Sequence, residues 1–231
     1  MDVYISINGP LRRLIQKFEY HYRSEFIDSD TLIETDEESE PFEYKVSDNV
    51  QNDDLLKYYT FQSINEYNNF LFVEFPLEIF GNAGISYMSA MSDLNKMIYD
   101  NPNINFTVVG LNELGKGKSS TLFFLSKHNY LGNNVKFITS YDIDKEWKKC
   151  NIWITDNKEI IDKCPKKKTA VKYLTDYNTY FMHKNEIKTL TECSKYWEKS
   201  TTSMWTRLLR NVVPLNHRKV KPSMMKTDKQ N

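Results

Sequence analysis

The chain has 231 residues, and its 31 basic and 31 acidic side chains give a formal net charge of zero. This length suits one or two domains with a sizeable core, and the composition excludes collagenous, coiled-coil and disordered classes. The three cysteines, Cys150, Cys164 and Cys193, form neither a metal-spaced pair nor an even disulfide set, so we expect a reducing compartment. We recognise no leader pattern and no apolar run of membrane length, and therefore expect a soluble chain that is not secreted.

Charge is distributed unevenly along the chain. Residues 28–54 contain eleven acidic side chains against one base, and residues 207–231 contain seven bases against one acid. Blocks of like charge are typical of solvated surfaces and of segments that contact partners. The chain also contains 22 asparagines, 15 tyrosines and three alanines, a bias that indicates an AT-rich genome rather than a particular fold.

A buried strand followed by a tight turn opens the chain. The apolar run that begins at Val3 ends at Gly9-Pro10, where a helix-patterned segment begins. Ligands of open α/β sheets bind outside the carboxyl ends of the strands, so Ser6 and Asn8 stand where chemistry would be expected. A serine without an adjacent base is a weak nucleophile, and an asparagine amide cannot transfer a proton near neutral pH.

The next ninety or so residues are predicted to be mostly helical. Apolar residues recur at helical spacing over residues 11–22, 61–75 and 85–97, and these ranges predict three helices. The second helix is expected to begin at Ser63, because Glu66 follows three residues later as in a capping box. The acidic stretch 27–54 predicts a loop.

Buried strands resume after this helical region. Apolar runs predict four further strands and one helix: strands at residues 105–110, 135–139, 152–156 and 169–174, and a helix at 122–131. Alternating strands and helices favour an α/β fold with a parallel sheet. We expect Ser6, Gly110 and Thr155 to converge at the carboxyl ends of three of these strands.

The opening stretch and the order of the strands resemble the haloacid dehalogenase (HAD) superfamily. In that family the first strand delivers two aspartates, two residues apart, which act as nucleophile and as general acid and base. Ser6 and Asn8 occupy those two places in this chain. The resemblance extends over about residues 3–180 as an order of elements, and the segment from Asn157 to Asn178 is similar to the end of the phage and bacterial 5'(3')-deoxyribonucleotidases of this superfamily.

Other family motifs are also altered here. Gly110 replaces the serine or threonine that holds the transferred phosphate, and Thr155 with Asp156 replaces the acidic metal-binding pair. The resemblance therefore implies an eroded phosphotransfer site with no catalytic residue, no cofactor and no metal. Weak cation binding by Asp156 is the alternative, but a single carboxylate rarely suffices, so we expect Asp156 to be a solvated residue at a strand end. Four lysines remain open as the family lysine, namely Lys116, Lys118, Lys127 and Lys136.

The resemblance also implies a domain organisation. A HAD-like (Rossmannoid) α/β domain is expected over residues 1–186, with an insertion at about 12–103 in the place of a type 1 cap. Residues 187–231 are expected to form a C-terminal amphipathic helix and a basic extended arm, because apolar residues from Ile187 to Val212 lie three or four apart. Within this segment we expect interface residues, namely Trp197, Met204, Trp205, Leu208, Arg218, Lys219 and Lys221.

A phosphate-binding loop is an alternative interpretation of residues 106–119. An apolar strand precedes Gly115-Lys116-Gly117-Lys118-Ser119, and a Gly-Lys-Ser sequence that opens a helix is typical of a P-loop. The spacing does not fit, because Asn112 stands where the motif requires its first glycine.

Together these features are similar to structural proteins of crAss-like phages. The primary hypothesis is a catalytically inactive HAD-like virion protein of the tail, connector or ring, assembled in the host cytoplasm. Its expected partners are other copies of itself in a homo-oligomeric ring and other virion proteins; nucleic acid contact through the basic arm is less favoured, and no membrane is involved. The alternatives are a HAD-type phosphatase or nucleotidase, and then a P-loop-like nucleotide-binding protein.

Overall fold

The computed structural model describes residues 1–28, 42–47, 50–51 and 54–197. Its centre is a six-stranded parallel sheet whose strands stand in the order β5-β4-β1-β6-β7-β8. These strands are β1 (Asp2–Ser6), β4 (Asn105–Leu111), β5 (Val135–Ile138), β6 (Ile152–Thr155), β7 (Thr169–Tyr173) and β8 (Glu186–Ile187). Numbered one to six along the chain, they follow the order 3-2-1-4-5-6, which is consistent with a Rossmann-like α/β class.

The five strands predicted from apolar runs are confirmed. In β1, the residues from Val3 to Ser6 are buried on both faces of the sheet, as are all four residues of β6. Strands covered on both faces read as nearly continuous apolar runs, which is why these segments were recognisable in the sequence. The register pairs Ile5 with Val108 on one side and with Ile154 on the other.

A two-stranded antiparallel ribbon marks the start and the end of the helical insertion. It pairs β2 (Arg12–Arg13) with β3 (Gly84–Ile85). Between them lie α1 (Leu14–Phe26), a 3-10 helix (Leu55–Lys57), α2 (Ile64–Asn69) and two π-helical segments (Phe70–Glu74 and Leu77–Gly81). The helix predicted over 61–75 is therefore α-helical only from Ile64 to Asn69. From Phe70 onward the turns widen into a π-helix.

An aromatic cluster forms the core of the insertion. Phe18 and Tyr22 of α1 are fully buried, and the ring of Phe18 meets Tyr59 at 4.8 Å and Phe70 at 5.5 Å in edge-to-face geometry. The Tyr22 hydroxyl donates to the carbonyl oxygen of Thr60 at 2.5 Å, so its polar end is satisfied. The insertion therefore has apolar packing of its own beside the sheet.

The cap predicted at Ser63 is confirmed. Its hydroxyl accepts the backbone N–H of Glu66 at 3.1 Å. The reciprocal half of the capping box differs, because the Glu66 carboxylate accepts from the backbone N–H of Gln62 at 2.6 Å and from the Tyr44 hydroxyl at 2.6 Å. Glu66 thus joins the helix start to the segment around Tyr44.

The remaining α-helices alternate with the strands. They are α3 (Ala90–Asp100), α4 (Lys116–Lys127), α5 (Ile143–Lys149) and α6 (Lys158–Asp162), together with a 3-10 turn (Ser140–Asp142). The helix predicted at 122–131 begins six residues earlier, at Lys116, because the polar residues that open α4 carry no apolar signal. No helix in the described part of the chain has the length and apolar character needed to cross a membrane.

Glu146 is a buried carboxylate that ties α5 to the sheet. It accepts hydrogen bonds from Tyr4 at 3.1 Å, from Lys149 at 2.7 Å and from Lys136. Burial alone would raise the pKa of Glu146, but these three hydrogen bonds outweigh it and hold the pKa below its ordinary value.

Glu146→Gln is therefore expected to destabilise the chain in a pH-dependent way. A carboxylate whose pKa is lowered by folding stabilises the folded state above its ordinary pKa, and this contribution is lost as pH falls through the lowered value. Near pH 7 the variant should lose about 1.5 to 3 kcal/mol of unfolding free energy, since Lys136 and Lys149 lose their negatively charged acceptor. Urea unfolding at about pH 7 and about pH 3 should show the difference narrowing on acidification; a difference that stays constant would contradict this assignment.

The C-terminal part of the described chain departs from the expected helix. Ile187 lies in β8, paired with Tyr173 of β7, and Leu190–Tyr196 is a 3-10 helix. Ile187 was predicted to start the amphipathic helix because Leu190 follows it three residues later. The same spacing occurs where a strand end is followed by a tight turn, as it does here. The chain divides into two units after Glu192. The boundary predicted at 186 and the helix beyond residue 197 stay predictions.

Candidate functional site

The motif positions predicted from the sequence meet at the carboxyl edge of the sheet. Ser6 ends β1, Thr155 ends the adjacent β6, and Gly110 lies on β4 one residue beyond Val109, the partner of Ser6. The strand order reverses between β1 and β6, which is where ligands bind in open α/β sheets. The predicted convergence of Ser6, Gly110 and Thr155 is confirmed.

Ser6 is held by neutral partners. Its hydroxyl donates to Thr155 Oγ1 at 2.8 Å and accepts from the indole N–H of Trp153 at 3.2 Å. Thr155 Oγ1 also accepts the backbone N–H of Asn157 at 3.1 Å. Ser6 and Thr155 are both buried, and neither a threonine hydroxyl nor an indole can take a proton from a serine. In this arrangement the Ser6 hydroxyl is a structural group rather than an activated nucleophile.

Asn8 is the acceptor of a buried arginine. Its Oδ1 receives hydrogen bonds from Arg12 Nε at 3.0 Å and from Arg12 Nη2 at 2.7 Å. Arg12 has no exposed surface, and its Nη2 lies 2.5 Å from Glu113 Oε1. Thr121 donates its hydroxyl proton to the other carboxylate oxygen of Glu113. The carboxylate neutralises the guanidinium, so this network offers no net positive charge to a phosphate group.

Arg12 also joins the insertion to the sheet. Its Nη1 donates to the carbonyl oxygen of Phe80 at 3.2 Å and to Thr121 Oγ1 at 2.6 Å. The guanidinium carbon lies 5.1 Å from the ring centre of Phe80 and 5.6 Å from that of Phe124. A buried charge needs such a complete set of partners, because each unsatisfied hydrogen bond would cost free energy.

Asp156 lies beneath the turn that follows β1. It is only 4% exposed, and the Tyr177 hydroxyl donates to its Oδ2. Gly9 has a φ of +77° and packs so closely that a Cβ there would lie 2.3 Å from the Asp156 carboxyl carbon. The prediction of a solvated strand-end aspartate is therefore wrong: tertiary packing encloses this carboxylate.

The residues present do not fit the magnesium site that the family resemblance would imply. A hard cation such as magnesium prefers negatively charged carboxylate ligands, and neither Ser6 nor Asn8 supplies a carboxylate. Asp156 is engaged by Tyr177 and covered by Gly9. Across the described ranges, no group of three or more His, Cys, Asp or Glu side chains is arranged to hold a metal ion.

A crevice of about 410 Å³ lies between the insertion and the carboxyl ends of the strands. Its lining is mixed: it includes the apolar side chains Leu71, Phe72 and Phe80 of the insertion, together with Asn8 and Leu111 of the sheet domain. No basic side chain is among the described residues that line it. Its two acidic side chains already pair with neighbouring lysines, Asp54 with Lys57 at 2.7 Å and Glu159 with Lys163 at 2.7 Å.

The four candidate lysines lie away from the lining of this crevice. Lys136 bonds to Glu146, Lys127 donates to Asn82 Oδ1 at 2.9 Å, and Lys118 lies 6.0 Å from the ring centre of Phe137. Lys116 is exposed at the start of α4. None of the four is therefore among the described side chains that could contact a ligand in this crevice.

The proposed P-loop segment forms a short connection. Four residues, 112–115, join β4 to α4, whereas a P-loop needs a longer glycine-rich loop to wrap a phosphate. Ser119 donates its hydroxyl to the Lys116 carbonyl within the helix at 2.9 Å. Gly117 packs on Phe72 and Phe80, which would lie 3.1 to 3.2 Å from a Cβ at this position. Gly117 therefore contributes to the packing of α4 against the insertion.

The predicted interface residues fall mostly outside the described part of the chain. Trp197 is its last residue and is 3% exposed. Met204, Trp205, Leu208, Arg218, Lys219 and Lys221 lie beyond it. Their assignment to an interface stays a prediction.

Comparison with known proteins adds no identity to this geometry. No family model matches the chain, and no curated protein matches its sequence. The class that the fold defines is a Rossmann-like α/β protein with a helical insertion after its first strand.

Proposed function

We propose that this chain is a non-catalytic protein with a HAD-like fold that acts through protein–protein assembly. The observation that carries the proposal is the pair of buried networks at Ser6 and Asn8. One network consists of neutral side chains, and the other is an ion pair closed within the chain. In this account the side chains of Ser6 and Asn8 stabilise the fold.

The magnitude of the losses supports catalytic silence. Removing a single positioned donor from an active site typically lowers the rate by about 10² to 10³. This chain lacks a carboxylate at both the nucleophile and the acid–base position and has Gly110 in place of a hydroxyl, and no lysine is among the described residues that line the crevice. All of these missing groups serve the transfer of a phosphoryl group, so we expect the chain not to catalyse this reaction.

Two features of the architecture support a HAD-like origin for the fold. The sheet order places the first and fourth strands side by side, so that Ser6 and Thr155 meet at 2.8 Å. The insertion leaves and rejoins the sheet domain through the β2–β3 ribbon, between the first and second strands of the sheet. This is the place of the type 1 cap in the family that the sequence resembles.

Assembly in a virion completes the proposal. Its support is the resemblance to phage structural proteins, together with the basic block 207–231 and the acidic block 28–54, which can attract one another between copies. In this account the chain forms a homo-oligomeric ring with other virion proteins of the tail or connector. A fold retained after loss of its chemistry is consistent with function residing in sites rather than in folds.

The native chain is expected to show no phosphatase activity. Hydrolysis of phosphate monoesters and of deoxynucleoside monophosphates with magnesium should match a blank, since no residue can form the phosphoenzyme or protonate the leaving group. The matched control is Asp156→Asn, which should give the same background. Magnesium-dependent turnover by the native chain that Asp156→Asn abolishes would favour the phosphatase or nucleotidase alternative instead.

A further inference from the structure

A second cavity, of about 470 Å³, lies on the other side of the Gly9 turn. Its walls come from segments far apart in the sequence: the turn after β1, the start of α1, the segment after β3, the loop that follows β7, and Lys188 beyond β8. A concave site of this volume, formed where several elements meet, has the dimensions of a small-molecule pocket. It shares no lining residue with the crevice described above.

Three tyrosine side chains line this cavity, namely Tyr87, Tyr173 and Tyr177. Two of them are fixed by hydrogen bonds: Tyr177 donates to Asp156, and the Tyr87 hydroxyl accepts the backbone N–H of Leu190 at 2.9 Å. Held in this way, aromatic walls lose little conformational entropy on binding and favour a planar ring as a partner.

The polar part of the lining is cationic. Arg13 and Lys188 form no ion pair with any described residue, and the Arg13 Nε is fixed by the carbonyl oxygen of Ser86 at 2.9 Å. Asp176 is the one acidic residue in the described lining, so the two cations exceed it. Unpaired cations at the mouth of a cavity attract an anionic group and accelerate its association.

One buried hydroxyl in the lining has no hydrogen-bond partner. Thr175 Oγ1 is inaccessible and pairs with no atom of the described chain. The backbone N–H of Thr175 donates to Asn178 Oδ1 at 3.0 Å, so the main chain around it is held in place. Because no solvent-sized atom can reach this oxygen, it is enclosed by the protein itself and does not contact a ligand in the cavity.

We propose that this cavity is a binding site for a small aromatic anion, a single ring that carries one phosphate or carboxylate group. The ring lies against the tyrosines, and the anionic group faces Arg13 and Lys188. The proposal goes beyond the assembly function, because it concerns a different cavity and requires no chemical step.

The test uses phenyl phosphate as the probe, with the full-length protein followed by two-dimensional NMR. Phenyl phosphate should bind and shift the resonances of Thr175 and Tyr87. Phenol lacks the anion and inorganic phosphate lacks the ring, so each should bind at least about tenfold more weakly. Shifts confined to the crevice near Asn8 and Leu71, or equal affinity for all three probes, would overturn the proposal.

Two substitutions separate the site from general effects on folding. Arg13→Gln removes a cation of the lining and should weaken phenyl phosphate binding by about tenfold, while Arg13→Lys should retain most of it. Lys188→Gln should weaken binding in a way that disappears at high salt. Lys96→Gln changes an exposed lysine outside the cavity and should bind as the native chain does. Unchanged affinity in both Arg13→Gln and Lys188→Gln would overturn the assignment.

Discussion

Arg12→Met is expected to lower the free energy of unfolding by about 3 to 5 kcal/mol, because it leaves the buried carboxylate of Glu113 without its counter-charge. The same substitution removes the hydrogen bonds that Arg12 donates to Asn8, Thr121 and the Phe80 carbonyl. Chemical denaturation at neutral pH measures the loss as a shift in the unfolding midpoint.

The controls for this prediction distinguish a stranded charge from lost packing. Arg23→Met removes the arginine of an exposed ion pair with Glu19 and should leave stability unchanged within error. The double variant Arg12→Met/Glu113→Met removes both charges, and should recover about 2 kcal/mol of the loss of the single variant. If the double variant is as unstable as Arg12→Met, the ion pair is not what holds this junction together.

The central sheet was predictable because its strands are buried on both faces. Short apolar runs such as Ile152–Thr155 that are bounded by turn residues are typical of strands buried on both faces, so five of the six strands were placed to within a few residues. The short strand Glu186–Ile187 has no such signal: two residues cannot establish a period, and Ile187 was assigned to the helix predicted after it.

The π-helical turns after Phe70 were also beyond reach from the sequence. The apolar pattern of residues 61–75 fits an α-helix, and nothing local indicates that the turns widen between Phe70 and Gly81. Tertiary contacts dominate there, since Phe72 and Phe80 pack on Gly117 of α4. Local propensity is a weak guide where packing of this kind decides the geometry.

The candidate site was likewise predictable from the sequence only in part. The positions of Ser6 and Thr155 follow from strand order alone, and so does their meeting at the carboxyl edge. The Arg12 network does not, because its contacts with Phe80, Glu113 and Thr121 span 68, 101 and 109 residues of sequence. Polar residues such as Glu113 resemble surface residues until the fold encloses them, and only the presence of an arginine beside an apolar run could have drawn attention to Arg12.

The second prediction with a large expected effect concerns assembly of the chain. Beyond Pro214 the sequence has no apolar periodicity with which to form a core, and its bases Arg218, Lys219 and Lys221 suit an acidic surface on a neighbouring copy. Deleting residues 214–231 should therefore leave a folded chain that no longer assembles. Charge pairing is screened by salt, so the triple variant that replaces these three bases with serine should behave like the native chain at high salt and differ from it at low salt.

Size-exclusion chromatography with light scattering tests this claim most directly, because it measures the mass of the assembly in solution. The full-length chain is expected to elute as a multiple of its 27.4 kDa mass, and the chain without residues 214–231 as a single copy with unchanged secondary structure. A full-length chain that is monomeric at every concentration, or a truncated chain that keeps the oligomeric mass, would contradict the assembly function.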